Sequence, residues 1–323
     1  MRFDIVTIFP GFFAGIFEHG IVRRAQAEGL VTIATHDLRN FTHDRHRTVD
    51  DRPFGGGEGM VLKPEPIAEA LASLGIQPKP ERTPGIEPPL ENAGSPERQT
   101  PANAEDRGFV TGHDFSRAEN GQKIPGALAP AVTEPAARTH VILLSAQGRP
   151  FTQAIARDLA RIDRIVLLCG RYEGVDERIN QIYCDTELSI GDYVLSGGEL
   201  PAAVVVDTVM RLVPGVLGNQ ASGEFESFGA ADAEIDTGIE GVPRSQHGSG
   251  GLLDYPHYTR PAEFGGLRAP EILLGGDHLA IRRWRRRQQL LKTLRNRPDL
   301  LEQASLSQED LRFLDALRND EIS

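Results

Sequence analysis

The fold is decided by residues 140–169, HVILLSAQGRPFTQAIARDLARIDRIVLLC. Two apolar runs, VILLS at 141–145 and IVLLC at 165–169, have the length and composition of buried strands. Between them, Thr152–Arg161 has the spacing of apolar residues that is typical of a helix. A strand, a helix and a second strand in this order predict two parallel strands joined by a crossover helix.

The same alternation continues on both sides of this unit. Toward the N-terminus, Phe3–Phe9 and Val31–Thr35 predict strands, and Phe12–Ala27 between them predicts a helix. Toward the C-terminus, we expect a short strand near Tyr193–Leu195 and a largely buried helix over about Pro201–Leu212. The pattern predicts an α/β fold, in which a mostly parallel sheet carries helices on its faces.

Two segments differ from the rest of the chain in composition. Residues 75–138 hold ten prolines, seven glycines and only nine Ile, Leu, Val or Phe residues, too few apolar side chains to offset the entropy of ordering. We interpret this 64-residue segment as a largely disordered insertion. Residues 219–250 are interpreted as an interdomain linker, which separates a main domain over 1–218 from a small helical domain over 251–323.

The bulk composition restricts the class of protein. With 323 residues, 39% of them hydrophobic, the chain can bury a substantial core. Its cysteines, Cys169 and Cys184, form no CxxC pair, which argues against a disulfide framework and fits a reducing compartment. No apolar run approaches the roughly 20 residues that a membrane span needs. We therefore expect a soluble, cytoplasmic protein with no membrane partner.

One strongly basic stretch stands out against a net charge of −11. The acidic average argues against a nucleic-acid partner, because Lys and Arg drive phosphate binding. Yet residues 278–298, which include most of a predicted helix over Asp277–Arg295, hold eight basic residues and no acidic one. A solvated helix face is the ordinary interpretation of a charge run, but the absence of any acid favours RNA contact. The candidate RNA-binding residues are Arg282, Arg283, Arg285, Arg286 and Arg287.

Glycine-bearing loops lie at three strand ends, at 145–148, 170–174 and 190–198. Glycine lets a backbone approach a flat ligand closely, and strand ends in an α/β sheet are common ligand sites. Each loop alone could be a simple tight turn, but three in one domain favour a nucleotide-like pocket. No GxGxxG follows a strand, and residues 55–63 do not fit a P-loop, which leaves adenosyl cofactors bound by a less common fold.

A cluster of His and Asp residues allows a different interpretation. THDRHRTVDDR at 42–52 brings two His and three Asp within nine residues, from His43 to Asp51, and these side chains suit zinc or iron. A metal site here would make the chain a metal-dependent phosphohydrolase. The interleaved Arg45, Arg47 and Arg52 disfavour a bound cation, so we prefer a loop that contacts phosphate and assign no metal ligand.

Asp207 and Arg211 are four residues apart on the helix predicted over Pro201–Leu212. The ordinary expectation for this spacing is a local ion pair on one helix face. On so apolar a helix, however, we expect an arginine near the C-terminal end to point into a polar site.

Five long words in the sequence carry a resemblance to a known family. The chain resembles the bacterial tRNA (guanosine-37-N1)-methyltransferases, the TrmD family, which belong to the SPOUT class of knotted methyltransferases. The similarity covers nearly the whole chain apart from the insertion and part of the linker. The words are FTHDRHRTVDDRPFGGGEGM at 41–60, LLCGRYEGVDERI at 167–179, SIGDYVLSGGELP at 189–201, PGVLGNQAS at 214–222 and LLDYPHYTRP at 252–261.

The resemblance implies a trefoil knot in the C-terminal part of the α/β domain, with S-adenosyl-methionine held in the loops of the knot. It also implies an obligate homodimer whose active site is completed across the subunit interface, a tRNA substrate, and assistance by Mg²⁺, although no cage of carboxylates identifies a magnesium site. The cofactor residues carried over are Ser145, Gln147, Gly170, Tyr172, Glu173, Ile190, Gly191, Asp192, Tyr193, Val194, Leu195, Gly197 and Gly198.

Methylation of guanine N1 requires a general base, because that nitrogen carries a proton at neutral pH. A cation that stabilises charge on O6 would assist. The resemblance assigns the base to Glu226, where the family has aspartate, with Glu224 as the competing position, and the assisting cation to Arg211. The extra methylene of Glu226 and the change of a common family proline to Ala146 are departures that leave every catalytic group in place. A non-catalytic RNA-binding protein remains the alternative.

Overall fold

The computed structural model describes residues 1–79, 138–218, 226–229 and 249–320. These residues form nine strands: β1 (Arg2–Thr7), β2 (Thr32–Asp37), β3 (Asp50–Asp51), β4 (Val61–Leu62), β5 (Thr139–Pro150), β6 (Arg164–Cys169), β7 (Thr186–Ser189), β8 (Glu263–Phe264) and β9 (Leu267–Arg268). They also form nine α-helices: α1 (Gly20–Ala27), α2 (Pro64–Ser73), α3 (Gln153–Leu159), α4 (Glu177–Tyr183), α5 (Glu199–Met210), α6 (Glu271–Leu274), α7 (His278–Asn296), α8 (Asp299–Gln303) and α9 (Gln308–Asp320).

Five of these strands form one sheet in the order β2-β1-β6-β5-β7, and every pairing in it is parallel. The register places Leu167 beside Ile5 on one side and beside Ile142 on the other. Apolar side chains of neighbouring strands therefore form rows across the sheet. The α/β fold with a parallel sheet, predicted from the alternation of strands and helices, is confirmed.

Helices cover both faces of the sheet. Since successive side chains along a strand point to opposite sides, both sets of side chains are buried. One face packs Phe3, Ile5 and their neighbours against α1, α3 and α5. The other packs Val141, Val166 and Leu168 against α2 and α4. Since full burial of such a side chain stabilises by about 1.5–3 kcal/mol, the three layers explain why the strands are continuous apolar runs.

The helix predicted over Phe12–Ala27 is shorter than expected. A short 3₁₀ helix covers Pro10–Phe13, and the α-helix α1 begins only at Gly20. Gly15, between the two, has a φ angle of +87°, and Gly20, the first residue of α1, has a φ angle of +59°; both lie in the left-handed region, which the interior of an α-helix excludes. The glycines therefore divide one periodic segment into two elements.

The strand predicted near Tyr193–Leu195 is wrong. The last strand of the sheet is β7, which follows the unpredicted helix α4, and residues 193–195 lie in the loop after it. Tyr and Val favour strands when a neighbour is available. Here the amide of Tyr193 bonds to Gly191 O within its own loop, so the segment forms no ladder.

The segment interpreted as an insertion begins with ordered residues. Ile76 is buried against the face that α2 covers, and Lys79 Nζ donates to Asn180 O at 3.1 Å. Residues 75–79 thus pack with the main domain. The rest of the segment, 80–137, and most of the linker, 219–225 and 230–248, lie outside the described residues.

The C-terminal residues have a small core of their own. Leu252, Leu290 of α7 and Leu314 of α9 are buried together, while β8 and β9 form a separate two-stranded hairpin. Within the described ranges, no helix combines the length and the apolar character that crossing a membrane would require.

A buried carboxylate joins three neighbouring strands of the sheet. Asp4 of β1 is 0% exposed and accepts hydrogen bonds at 2.8 Å from Arg2, from His36 of β2 and from Arg164 of β6. Burial alone would raise the pKa of this carboxyl, but these partners outweigh burial and lower it to about 2. The ionised form of Asp4 therefore stabilises the folded state.

Asp4→Asn should lower the free energy of unfolding by about 2 kcal/mol at pH 7, from the difference between the folded and ordinary pKa. Because the folded pKa is depressed, this contribution is present above the unfolded pKa and is lost as the pH falls from about 5 toward 2. Urea unfolding of both proteins at pH 7 and pH 3 measures it.

Asp158→Asn is the matched control, since the ion pair of Asp158 with Arg161 is exposed and is expected to contribute less than about 1 kcal/mol. Equal unfolding free energies for the two variants at pH 7 would contradict the role given to Asp4.

Candidate functional site

A cavity of about 370 Å³ opens at the edge of the sheet where β5, β6 and β7 end. All three glycine-bearing loops line it, so the structure brings together segments that are far apart in sequence. Asp192 is absent from the lining. The carried-over residues that do line it are Ser145, Gln147, Gly170, Tyr172, Glu173, Ile190, Gly191, Tyr193, Val194, Leu195, Gly197 and Gly198.

The first of these loops is a bulge within β5. The pairing of β5 with β7 shifts register between Leu144 and Arg149, so residues 145–148 leave this ladder, and 145–147 line the cavity. A side chain at Gly148 would place its Cβ 2.5 Å from Leu188 N. Glycine is therefore required at this position for the bulge to pack against β7.

The other two loops touch through their backbones. The amide of Gly198 donates to Gly170 O at 2.9 Å, and a Cβ at Gly198 would lie 2.7 Å from Cys169 Cα. Arg171 and Gly197 form an antiparallel bridge. The walls of the cavity are thus exposed backbone held at close range, which suits a flat ligand.

The charges around the cavity favour a cationic ligand. Three carboxylates line it, from Glu173, Glu177 and Glu187. The one cation in the lining, Arg171, is bound by the buried carboxylate of Glu199. An acidic wall disfavours phosphate groups and attracts positive charge.

A glycine-rich segment packs over the acidic wall. The Glu173 amide donates to Met60 O at 3.0 Å, and the Leu62 amide donates to Gly174 O at the same distance. A Cβ at Gly59 would lie 2.3 Å from Glu173 Oε1. Gly59 also has a φ angle of +86°, so glycine suits both the backbone conformation and the close approach to Glu173 at this position.

The His and Asp cluster at 42–52 has other partners. His43 Nε2 lies 2.8 Å from Glu69 Oε2, and Asp44 accepts bonds from the hydroxyl and amide of Thr48. Over the described residues, no group of three or more His, Cys, Asp or Glu side chains is arranged to hold a metal ion.

Arg211 and Glu226 lie in contact. They are the residues expected to act as the assisting cation and the general base. Arg211 donates to Glu226 Oε2 at 2.6 Å, and both side chains are partly exposed. The side chain of Arg211 thus pairs with Glu226 and not with Asp207. The contact with Asp207 is the helical hydrogen bond from the Arg211 amide to the Asp207 carbonyl. Glu224 lies outside the described residues.

Arg157 of α3 holds the segment that bears Glu226. Its guanidinium donates to the carbonyl of Phe228. Burial lowers the pKa of Arg157, and the nearby charge of Glu226 opposes that shift. The short segment 226–229 is therefore fixed to the α/β domain by two arginines, Arg157 and Arg211.

The Arg211–Glu226 pair and the cavity lie at opposite ends of α5. The helix begins at Glu199, directly after Gly198, which lines the cavity, and Arg211 caps its other end, 12 residues after Glu199. At about 1.5 Å per residue, these two positions are about 18 Å apart along the helix axis. Beyond α5, the carbonyl of Val216 accepts a hydrogen bond from Arg24 of α1, the helix that precedes β2. The two parts of the expected site are therefore separated within one chain.

The basic helix α7 presents only part of its charge to solvent. Arg283, Arg285 and Arg287 are exposed, and Arg285 lies over the ring of Tyr255. Arg286 points inward, where it binds Asp310 of α9 at 2.9 Å. Arg282 is half-buried and donates to the carbonyl of His278. Arg286 thus joins two helices, although it was grouped with the RNA-binding arginines.

Sequence reasoning did not single out Arg171 and Glu199, which lie between the residues expected to bind cofactor. Both stand inside the words GRYEG and SGGEL that carry the resemblance. A glutamate directly after two glycines, at the start of a very apolar helix, was the signal that could have identified a buried charge in need of a partner.

Comparison with known proteins gives a consistent result. A profile of the family described as tRNA (guanine-1)-methyltransferase TrmD matches residues 1–86 and 120–303, leaving 87–119 of the insertion unmatched. The tRNA (guanine-N(1)-)-methyltransferase of Koribacter versatilis is 50% identical over 318 residues, 98% of each chain. That of Dictyoglomus turgidum is 42% identical over 320 residues, 99% of this chain and 98% of its own. That of Pelotomaculum thermopropionicum is 43% identical over 317 residues, 98% of this chain and 96% of its own. The chain therefore belongs to the tRNA (guanine-1)-methyltransferase TrmD family.

Proposed function

We propose that the protein transfers a methyl group from S-adenosyl-methionine to N1 of guanosine-37 in tRNA. The guanine-N1 specificity follows the names of its relatives. The observation that carries the proposed chemistry is the 2.6 Å contact between Arg211 and Glu226. It sets a hydrogen-bond acceptor beside a cationic donor, which is what the edge of a guanine requires.

The residues of the cavity fit S-adenosyl-methionine. A volume of about 370 Å³ lies in the range of small-molecule sites, and the backbone of Gly170, Gly197 and Gly198 leaves room for an adenine ring. Glu173, Glu177 and Glu187 would face the positive charges of the ligand. When bound, this group supplies an electrophilic methyl on a positively charged sulfur. The described residues give no comparable donor set for Mg²⁺, so the proposal includes no metal.

Glu226 is the proposed general base. Guanine presents N1–H as a donor next to O6 as an acceptor, so a carboxylate can accept from N1–H while the adjacent guanidinium of Arg211 donates to O6. As Glu226 takes the proton, the lone pair on N1 becomes available and negative charge grows on O6. Arg211 stabilises that charge.

We propose that two subunits complete each site. The cavity and the Arg211–Glu226 pair occupy opposite ends of α5, about 18 Å apart along the helix, so one chain cannot bring both to the same guanine. A two-fold dimer would set the cavity of one subunit against the catalytic pair of its partner. We further propose that the loops at 170–174 and 190–198 belong to a trefoil knot, which the close backbone contacts between them favour.

The helical residues 251–323 are proposed to hold the tRNA, with the exposed Arg283, Arg285 and Arg287 at its phosphates. Residues 1–218 would then supply the cofactor site and 219–250 would carry the base between the two domains. A cytoplasmic location follows from the tRNA substrate.

Glu226→Gln should retain binding of S-adenosyl-homocysteine but lower kcat at least about 100-fold, because the amide cannot take the N1 proton. Calorimetry gives the binding, and single-turnover methylation of a tRNA transcript with guanosine at position 37 gives the rate. Glu226→Asp is the matched control, since it keeps a carboxylate and should keep measurable activity. A transcript with adenosine at position 37 should not be methylated. Full turnover by Glu226→Gln would refute the assignment of the base.

Mixed dimers test the shared site. Glu226→Gln removes the base from one subunit, and Ser145→Trp fills the cavity of the other, so each variant alone should be inactive. Co-expressed at equal levels, they should recover about a quarter of wild-type activity, because half of the dimers are mixed and each has one intact site. Mixed dimers that are isolated by two affinity tags and remain inactive would contradict a site shared between subunits.

Arg283→Ala should weaken tRNA binding and reduce the slope of log K against log salt by about 0.9 for each phosphate contact that is lost. Filter binding of tRNA between about 50 and 200 mM salt measures the slope of log K against log salt. Arg286→Ala is the contrasting variant: it should lower the free energy of unfolding, because it leaves the buried Asp310 unpaired. An unchanged salt slope for Arg283→Ala would contradict phosphate contact.

A further inference from the structure

An ion pair in the wall of the cavity joins Arg171, which lines it, to the buried carboxylate of Glu199. Arg171 Nε and Nη2 each lie 3.0 Å from Glu199 Oε2, and Glu199 is 1% exposed. Arg171 belongs to the loop that follows β6, and Glu199 is the first residue of α5. The pair therefore joins two of the three loops that form the cavity.

The strand β1 supplies a third member. Thr7 Oγ1 donates to Glu199 Oε1 at 2.7 Å and accepts from the amide of Phe9 at 2.9 Å. The guanidinium of Arg171 lies 4.5 Å from the centre of the Phe9 ring, a cation–π distance. Arg171, Glu199 and Thr7, named here the clasp, thus connect the ends of β1, β6 and the loop before α5.

The clasp sets the spacing between the loops. Arg171 Nη1 donates to Ser196 O at 2.9 Å, so one side chain holds both the carboxylate and the backbone of the opposite loop. A Cβ at Gly197 would lie 2.2 Å from Arg171 Nε. A side chain at position 197 would therefore displace the guanidinium of Arg171 from its place beside Glu199.

Glu199 acts on the cavity without lining it. The residues around it do line it: Tyr172 and Glu173 follow Arg171, and Gly197 and Gly198 precede Glu199. Its carboxylate lies in the first turn of α5, where the helix dipole favours negative charge. Together with burial, which is the larger cause, Glu199 raises the pKa of the neighbouring Cys169 thiol.

We propose that the clasp is a positioning device that fixes the separation between loops 170–174 and 196–198 and thereby sets the affinity for the methyl donor. The inference rests on the proposed function, because it takes the cavity as the donor site. Neither Glu199 nor Thr7 touches the reacting atoms. Loss of the clasp should therefore weaken donor binding while the chemical step is kept.

Glu199→Gln tests the proposal, since it keeps the size of the side chain and removes the charge that holds Arg171. We expect S-adenosyl-homocysteine to bind about tenfold more weakly by calorimetry, within the range of coupling between neighbouring sites. KM for S-adenosyl-methionine should rise by a similar factor while kcat at saturation stays within about twofold, the signature of lost uniform binding. Equal affinity of Glu199→Gln and wild type would overturn the proposal.

Asp4→Asn is the control for stability, because it removes a buried carboxylate from Arg164 of β6 and lies three residues before Thr7, outside the clasp. It should destabilise the fold and leave donor affinity unchanged. If Asp4→Asn weakened donor binding as much as Glu199→Gln, the effect would be general loosening and the clasp would have no special role.

The hydroxyl of Thr7 gives a second test that does not depend on the folding of Glu199→Gln. Thr7→Val removes the bond to Glu199 and should weaken donor binding, whereas Thr7→Ser restores the hydroxyl and should restore the affinity. Identical affinities for these two variants would contradict the proposal. Wild-type protein that binds no S-adenosyl-homocysteine would instead reject the proposed function itself, so the two failures are distinguishable.

Discussion

Parallel pairing of β5, β6 and β7 is the constraint on which the rest of the site depends. Parallel strands end at the same edge of a sheet, so the loops that follow β6 and β7 share one space with the bulge of β5. They share it closely, because glycine at positions 148, 170 and 198 lets backbone pack on backbone. The cavity is thus a consequence of strand direction combined with the absence of side chains where the loops meet.

The helix α5 moves the chain away from the cavity. It begins at the edge where the strands end and runs back past β1 and β6, with which it packs. The residues that follow α5 therefore lie toward the edge where the strands begin. Arg211 contacts Glu226 at this end of the helix. This geometry supports the proposed dimer, because the proposed donor site and the proposed base lie at opposite ends of α5 and would meet only across two subunits.

Negative and positive side chains are concentrated in different parts of the protein. The protein carries a net charge of −11, yet acidic groups surround the cavity while α7 exposes arginines. Carboxylates at the cavity suit a cationic donor, and the arginines suit phosphate. Two further arginines, Arg171 and Arg286, form ion pairs with the buried carboxylates of Glu199 and Asp310. A count of charges along the sequence could not separate these roles.

The sequence by itself determined the α/β class, the parallel sheet, the three loops at strand ends and the family, because apolar runs, glycines and long family words are local patterns. Only the tertiary structure decided that Arg211 pairs with Glu226 and not with Asp207, that Arg286 points inward, and that residues 193–195 form a loop. It also revealed the clasp, whose members are separated by up to 192 residues. The physical reason is that a side chain's partner depends on which surfaces meet in space, and helical or strand periodicity reports only which face a residue occupies.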